Sequence, residues 1–119
     1  MAGKVIYVAG AYAPPDGTDP HDAPVYAQHN VDLAIDAGIA LLRRGHTPYI
    51  PHLTHYVNLR VPLDNPIRRE QWYEIDNRMV PRCDGLLLIS HSPGADAELE
   101  LARKHGLEIW LSIDDVPQA

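Results

Sequence analysis

Short apolar runs alternate with longer amphipathic segments along the chain. Each run is rich in apolar residues and is followed within a few positions by a turn-forming or polar residue, which is typical of buried strands. The helical segments show apolar side chains at a 3.6-residue period, and Gly45 and Gly106 stand where two of them end. The predicted strands are KVIYVAG (4–10), HTPYIP (46–51), DGLLLIS (84–90) and LEIWLSI (107–113). The predicted helices span 25–45, 67–83 and 93–106, and the predicted long loops 11–24 and 52–66.

The resulting order, βαβαβαβ with continuously apolar strands, predicts an α/β fold. We expect one domain over residues 1–119: a three-layer α/β sandwich of the flavodoxin or Rossmann type, with a four- to five-stranded, mostly parallel sheet. In such sheets ligands bind beyond the carboxyl ends of the strands, near the switch in strand order. Those ends carry AGAYAPP, PHLTH and SHSPGAD, so the unusual residues gather at one edge.

The helix that begins near Pro93 carries one acid on an unexpected face. On a helical wheel Asp96 and Glu100 fall on the polar side, but Glu98 falls inside the apolar arc between Leu101 and Ala102. Asp96 suits the helix dipole in the first turn, and Glu100 can pair with a lysine four residues on. A buried carboxylate without a partner is costly, and such groups cluster at functional sites. Glu98 is therefore a candidate catalytic residue.

The preceding helix repeats this pattern with a second acid. Asp76 falls between Trp72 and Val80 on the apolar side, and Arg69 lies on nearly the same bearing two turns earlier. Two interpretations are open: a buried Arg69–Asp76 ion pair, or a second acid of an active site. Enzymes that cleave a glycosidic bond through an oxocarbenium-like transition state usually have two carboxyl groups in one pocket.

A Ser-Pro-Gly at positions 92–94 opens the helix of Glu98. Ser92 is a plausible N-cap with Pro93 at the first helical position, and Gly94 lets a ligand approach the backbone. Free amides at such a helix start would suit a phosphate, with the Ser92 hydroxyl as a further donor. This signal is weak by itself, because the same residues form a common cap.

Four segments together resemble the nucleoside 2-deoxyribosyltransferase family and its relatives that hydrolyse (deoxy)nucleoside 5′-monophosphates. IYVAGAY resembles the first strand of the family, with Tyr7 and a small-residue turn at Gly10. EIDNRMVPRCD resembles the segment that leads from a helix into the next strand, with Asp76 as an active-site acid and Asp84 at the start of that strand. SPGADAE resembles the motif that ends in the glutamate nucleophile, and Ala102 fits four residues further on.

The resemblance implies a role for each of these residues. Glu98 would attack C1′ and form a covalent glycosyl-enzyme, Tyr7 would orient Glu98, and Asp76 would assist the sugar or the departing base. Water as the acceptor makes a hydrolase, and a second base makes a transferase. The relatives that act on monophosphates are similar to this chain in having serine at the position of Ser92, which favours a 5′-monophosphate. Their basic phosphate loop has no counterpart in 11–24, so the charge would come from Arg60, Arg68, Arg69 or a neighbouring subunit.

The remaining candidates are expected to bind the substrate. His52 and His55 lie at the active edge and are predicted to contact base or sugar, while Tyr12 and Trp72 could stack on a base, although Trp72 on an apolar face is also typical of core. Neither a metal nor a cofactor is predicted. The full set of predicted substrate-binding residues is Gly10, Tyr12, His52, His55, Arg69, Trp72, Ser92 and Gly94.

Composition limits the partners. The net charge of −6 argues against a nucleic-acid polymer, and a single cysteine, Cys83, fits a reducing cytoplasm. No signal or membrane segment is predicted at the N-terminus. The resemblance implies a homodimer or higher homo-oligomer. The predicted activity is cleavage of an N-glycosidic bond, with three alternatives: a deoxyribosyltransferase, a nucleotide-binding module without turnover, and a scaffold whose buried acids are structural.

Overall fold

The computed structural model describes residues 3–119 and contains a four-stranded sheet in which every pairing is parallel. The order of the strands across the sheet is β2-β1-β3-β4. All four strands are shorter than the apolar runs that predicted them but lie inside those runs. They are β1 (Val5–Ala9), β2 (Thr47–Tyr49), β3 (Gly85–Leu88) and β4 (Glu108–Trp110).

Helices separate the strands along the chain. The sequence-based α/β prediction, with a parallel sheet in a three-layer sandwich, is confirmed by this architecture. The α-helices are α1 (Ala23–Arg43), α2 (Thr54–Asn58), α3 (Arg69–Met79) and α4 (Pro93–Lys104), and 3-10 turns occur at Pro51–Leu53, Val80–Arg82 and Ile113–Asp115. No helix within residues 3–119 combines the length and the apolar character needed to cross a membrane.

Side chains alternate between two cores, one on each face of the sheet, because successive residues of a strand point to opposite sides. On β1, Ile6 and Val8 pack towards α1, whereas Tyr7 and Ala9 pack towards α4. The α4 face also buries Leu86, Leu88, Leu99 and Ala102, and the α1 face buries Ala34, Leu41, Leu87 and Trp110. Tyr7 therefore points into the layer that holds Glu98.

The strand order creates a switch point between β1 and β3. The chain moves from β1 outwards to β2, then returns past β1 to β3 and continues to β4 on the other side. Consecutive crossovers leave in opposite directions there, and in such sheets this is where a ligand-binding crevice forms, beyond the carboxyl ends of the strands, here those of β1 and β3. The segments after these ends begin at Gly10 and Ile89.

The structure differs from the prediction in two details. The loop predicted at 52–66 contains the short helix α2 and part of the 3-10 turn Pro51–Leu53, because five residues are too few to give a recognisable 3.6-residue period. The apolar side predicted for the helix at 67–83 is buried only at its C-terminal end: Val80, just beyond α3, is fully buried and Met79 packs against the core, whereas Ile75 is 41% exposed. Periodicity identifies the face that could be covered, but not whether a partner covers it.

Candidate active site

The best-defined polar contact at the switch point joins β1 to α4. The hydroxyl of Tyr7 donates a hydrogen bond to Oε2 of Glu98. Tyr7 is completely buried, and its position on a central strand fixes where the hydroxyl can reach. Three buried residues, Ala95, Leu99 and Ala102, hold α4 against the sheet, so the carboxylate of Glu98 is presented from a rigid element.

The environment shifts the proton affinity of both partners. Burial raises the pKa of Glu98 to about 7, the hydrogen bond from Tyr7 lowers it in part, and the nearby charge of Asp76 raises it again. Burial, together with the charges of Glu98 and Asp76, raises the pKa of Tyr7 well above its usual value. Tyr7 therefore stays protonated and donates, while Glu98 changes its charge near neutral pH.

Asp76 is the second acid of the cluster, and it reaches the site from α3. Burial raises the pKa of Asp76 to about 6. Within residues 3–119 its carboxylate makes no hydrogen bond or ion pair. The predicted alternative of a buried Arg69–Asp76 pair is wrong. Seven residues correspond to about 10.5 Å along a helix, and Arg69 instead donates to the hydroxyl of Tyr73, one turn away at 2.7 Å.

Tyr49 is a member of the cluster that the sequence analysis missed. It lies opposite Tyr7 in the pairing of β1 with β2, and the ring centroids of the two tyrosines are 5.4 Å apart. Burial, followed by the charge of Asp76, raises the pKa of Tyr49, and Glu98 adds a smaller contribution. The signal that could have revealed Tyr49 is its place at the end of a strand beside the strand of Tyr7.

The segment Gly10–Ala11, where the sequence predicts a turn, follows β1 and is held by side chains from two other segments. The amide of Ala11 donates to Oγ of Ser90 at 2.8 Å, and Nε2 of His52 lies 3.2 Å and 3.1 Å from the carbonyl oxygens of Gly10 and Ala11. A Cβ on Gly10 would come within 2.5 Å of a side-chain carbon of Ile89. Gly10 is therefore required for packing, and Ser90 is a second residue that the sequence analysis missed.

The two predicted histidines differ in their surroundings. His52 is buried, its burial lowers its pKa, and its Nε2 holds the turn as a donor, while its Nδ1 has no partner within the described residues. His55 is also buried, and its Nδ1 lies 2.7 Å from the hydroxyl of Tyr12. His52, His55 and Tyr12 thus anchor the loop after β1, and their contact with a ligand stays a prediction.

The start of α4 is capped as the sequence predicts. Oγ of Ser92 accepts from the amide of Ala95 at 3.0 Å, and the carbonyl of Ser92 accepts from the amide of Asp96. Pro93 has no amide hydrogen, so Gly94 supplies the one amide of this first turn that makes no hydrogen bond within residues 3–119. Gly94 faces open space, with no atom within 4 Å of an added Cβ.

Arg69 and Trp72 lie on the more open helix α3. Arg69 is exposed, and its guanidinium stacks on the ring of Tyr73 at 5.4 Å. Trp72 is half-buried and is not part of either core. Neither residue contacts Glu98 or Asp76 through a hydrogen bond or ion pair among the residues described. Their role in binding a substrate stays a prediction.

The described part of the chain contains no group of three or more His, Cys, Asp or Glu side chains that could hold a metal ion. What the switch point offers instead is a carboxylate held by a phenol, a second carboxylate without a partner, and a second phenol. Such an arrangement can attack an electrophilic carbon and contact a polar ligand beside it. No protein-family model and no curated protein sequence matches the chain.

Proposed function

We propose that the protein cleaves the N-glycosidic bond of a (2′-deoxy)nucleoside or its 5′-monophosphate through a covalent glycosyl intermediate on Glu98. The observation that carries this proposal is the hydrogen bond from buried Tyr7 to Glu98 at the switch point, with Asp76 nearby. The resemblance of this segment of sequence to the nucleoside 2-deoxyribosyltransferase family points to the same chemistry.

The first step is a displacement at the anomeric carbon. A carboxylate oxygen of Glu98 bonds to C1′, the C1′–N bond breaks, and the base departs with the electron pair and takes a proton from the solvent. Tyr7 keeps the carboxylate oriented. Since the pKa of Glu98 is about 7, most molecules carry the reactive anion only above neutral pH.

The second step releases the sugar. Water attacks C1′ from the face that the base has left, the bond between C1′ and Glu98 breaks, and the carboxylate is regenerated, while one proton of the water passes to the solvent. Asp76, with a pKa of about 6, is ionised at pH 7 to 8, and we assign it to the sugar, where its carboxylate can accept a hydrogen bond from a hydroxyl. A free base in place of water would give a new nucleoside, which is the transferase alternative.

The N-terminus of α4 offers few hydrogen-bond donors to the phosphate of a nucleoside monophosphate. Only the amide of Gly94 is free in the first turn, and the carboxylate of Asp96 lies in the same turn, paired with His91 at 2.7 Å. These contacts favour a free nucleoside over the monophosphate that Ser92 favours by resemblance. A panel that contains both substrates separates the two.

Trapping the intermediate tests the proposal directly. A nucleoside with fluorine at C2′ destabilises the oxocarbenium-like transition states, and the second step then becomes slow enough for the glycosyl-enzyme to accumulate. Mass spectrometry of the intact protein and of its peptides should find one sugar-sized adduct on Glu98. A matched control is Glu100→Gln, an acid-to-amide change on the exposed side of the same helix, which should still form the adduct.

Two results would contradict the proposal. One is the absence of any adduct together with no release of base from a panel of nucleosides and 5′-monophosphates. The other is an adduct on a different residue, which would leave the reaction class but remove Glu98 as the nucleophile. A second free base added to the same assay tests the acceptor, because only a transferase converts it into a nucleoside.

A further inference from the structure

The cluster contains a donor and an acceptor that no protein group occupies. Tyr49 and Asp76 each make no side-chain hydrogen bond within residues 3–119, although both are half-buried. The charge of Asp76 bears on the hydroxyl of Tyr49, so the two groups share one environment. Among the described residues only Nδ1 of His52 is fully buried without a partner, so the polar atoms of Tyr49 and Asp76 reach the solvent and are free to bind a ligand.

The geometry of the sheet fixes which side of a substrate Tyr49 would meet. Tyr49 and Tyr7 are paired on adjacent strands, with a ring separation of 5.4 Å and an angle of 30° between the planes. The hydroxyl of Tyr7 contacts Glu98. Tyr49 therefore lies on the same side of the crevice as the attacking carboxylate.

The direction of the displacement at C1′ indicates whether Tyr49 would contact the sugar or the base of a nucleoside. In a displacement, the leaving base lies on the face of the anomeric carbon opposite the nucleophile. The neighbours of Glu98 therefore face the sugar ring. A sugar hydroxyl both donates and accepts, so it can accept from the phenol of Tyr49 and donate to the carboxylate of Asp76 at the same time.

We propose that Tyr49 is a specificity-determining residue that, together with Asp76, binds a ring hydroxyl of the sugar. This inference rests on the proposed cleavage of an N-glycosidic bond, because that reaction sets the direction of the sugar. Tyr49 takes no part in the bond changes. Tyr49 should increase activity only towards substrates that carry the recognised hydroxyl. A residue that only supports the fold would affect all substrates equally.

The test compares Tyr49→Phe with the wild-type protein on a set of four nucleosides that carry the same base. The sugars are ribose, 2′-deoxyribose, 3′-deoxyribose and 2′,3′-dideoxyribose. Loss of one hydrogen bond should lower kcat/KM roughly tenfold for sugars that carry the recognised hydroxyl, and should change it less than about twofold for those that lack it. Tyr26→Phe, at an exposed tyrosine on α1, is the matched control and should be neutral on all four.

Binding to an inactive background separates this inference from the proposed function. Calorimetric titration of Glu98→Gln and of the double variant Glu98→Gln/Tyr49→Phe with the same four nucleosides needs no turnover. A preference for the hydroxyl that disappears in the double variant supports the subsite even if wild type releases no base. Equal loss on all four sugars in the kinetic test, no loss on any, or no binding of any nucleoside overturns the inference.

Discussion

The two acids of the candidate site are carried by helices that are anchored very differently. Glu98 lies on α4, which buries Ala95, Leu99 and Ala102 against the sheet, whereas Asp76 lies on α3, which buries none of its residues. Glu98 also has a protein partner in Tyr7, and Asp76 has none among the described residues. The group that must be aimed at an atom therefore stands on the rigid element, and the group that meets ligand or water stands on the looser one.

The largest expected difference between the two acids is in activity. We predict that Glu98→Gln lowers kcat for base release by about a thousandfold or more, because the neutral amide is a poor nucleophile and cannot replace the carboxylate. Asp76→Asn should lower kcat less, by roughly tenfold to a hundredfold, as expected for the loss of a hydrogen bond between a charged group and the sugar. The measurement is chromatographic detection of free base, with Glu100→Gln as the control at an exposed acid of α4. Equal losses for Glu98→Gln and Asp76→Asn would contradict this division of roles.

The next difference is in stability. Leu99 is 7% exposed in the core beneath Glu98, and Ile75 is 41% exposed on the neighbouring helix α3. We expect Leu99→Ala to lower the free energy of unfolding by about 2–5 kcal/mol, because it removes buried methyl groups and leaves a cavity. Ile75→Ala should cost less than about 1 kcal/mol. Urea denaturation followed by circular dichroism measures both values. A large cost at Ile75 would show that α3 is covered in solution, for example by a second copy of the chain.

The sequence predicted the sheet and α4, which carries Glu98, better than it predicted α3, which carries Asp76. The apolar runs identified the four strands, and the wheel placed Glu98 on the inner side of α4, because a stripe of apolar side chains really is covered there. The same method placed an apolar side on α3, but within the described residues only its C-terminal end, at Met79, packs against the core. Coverage depends on contacts between distant segments, which a local pattern does not contain.

Tyr49 was missed for a related reason. Its importance comes from the register of β2 beside β1, which sets Tyr49 opposite Tyr7, and register is a property of two strands together. In the sequence it is one aromatic residue in a short apolar run, which is typical of core. Ser90 was overlooked in the same way, since its contact is with the amide of Ala11, 79 positions away.

The smallest expected effect is in the dependence of stability on pH. Glu98 has a pKa of about 7 in the folded protein, against an ordinary value of 4.5. Between these values the folded state binds more protons than the unfolded state, so the free energy of unfolding falls as pH rises from about 4.5 to 7. Glu98→Gln removes this penalty. We predict a gain of about 1–3 kcal/mol at pH 8 and almost none at pH 4.5, measured by thermal or urea unfolding.

The same measurement on Asp76→Asn compares the effect of the two acids on the free energy of unfolding. The pKa of Asp76 is raised by a similar amount, to about 6, but its carboxylate lies on the more exposed helix, so its gain at pH 8 should be smaller than that of Glu98→Gln. Destabilisation by Glu98→Gln at pH 8 would mean that the hydrogen bond from Tyr7 outweighs the cost of burying the charge. Stabilisation alone also fits an acid with only a structural role. A catalytic role requires two results together: Glu98 lowers the stability of the fold, and base release is lost without it. A charged side chain that destabilises the protein is then kept because the activity depends on it.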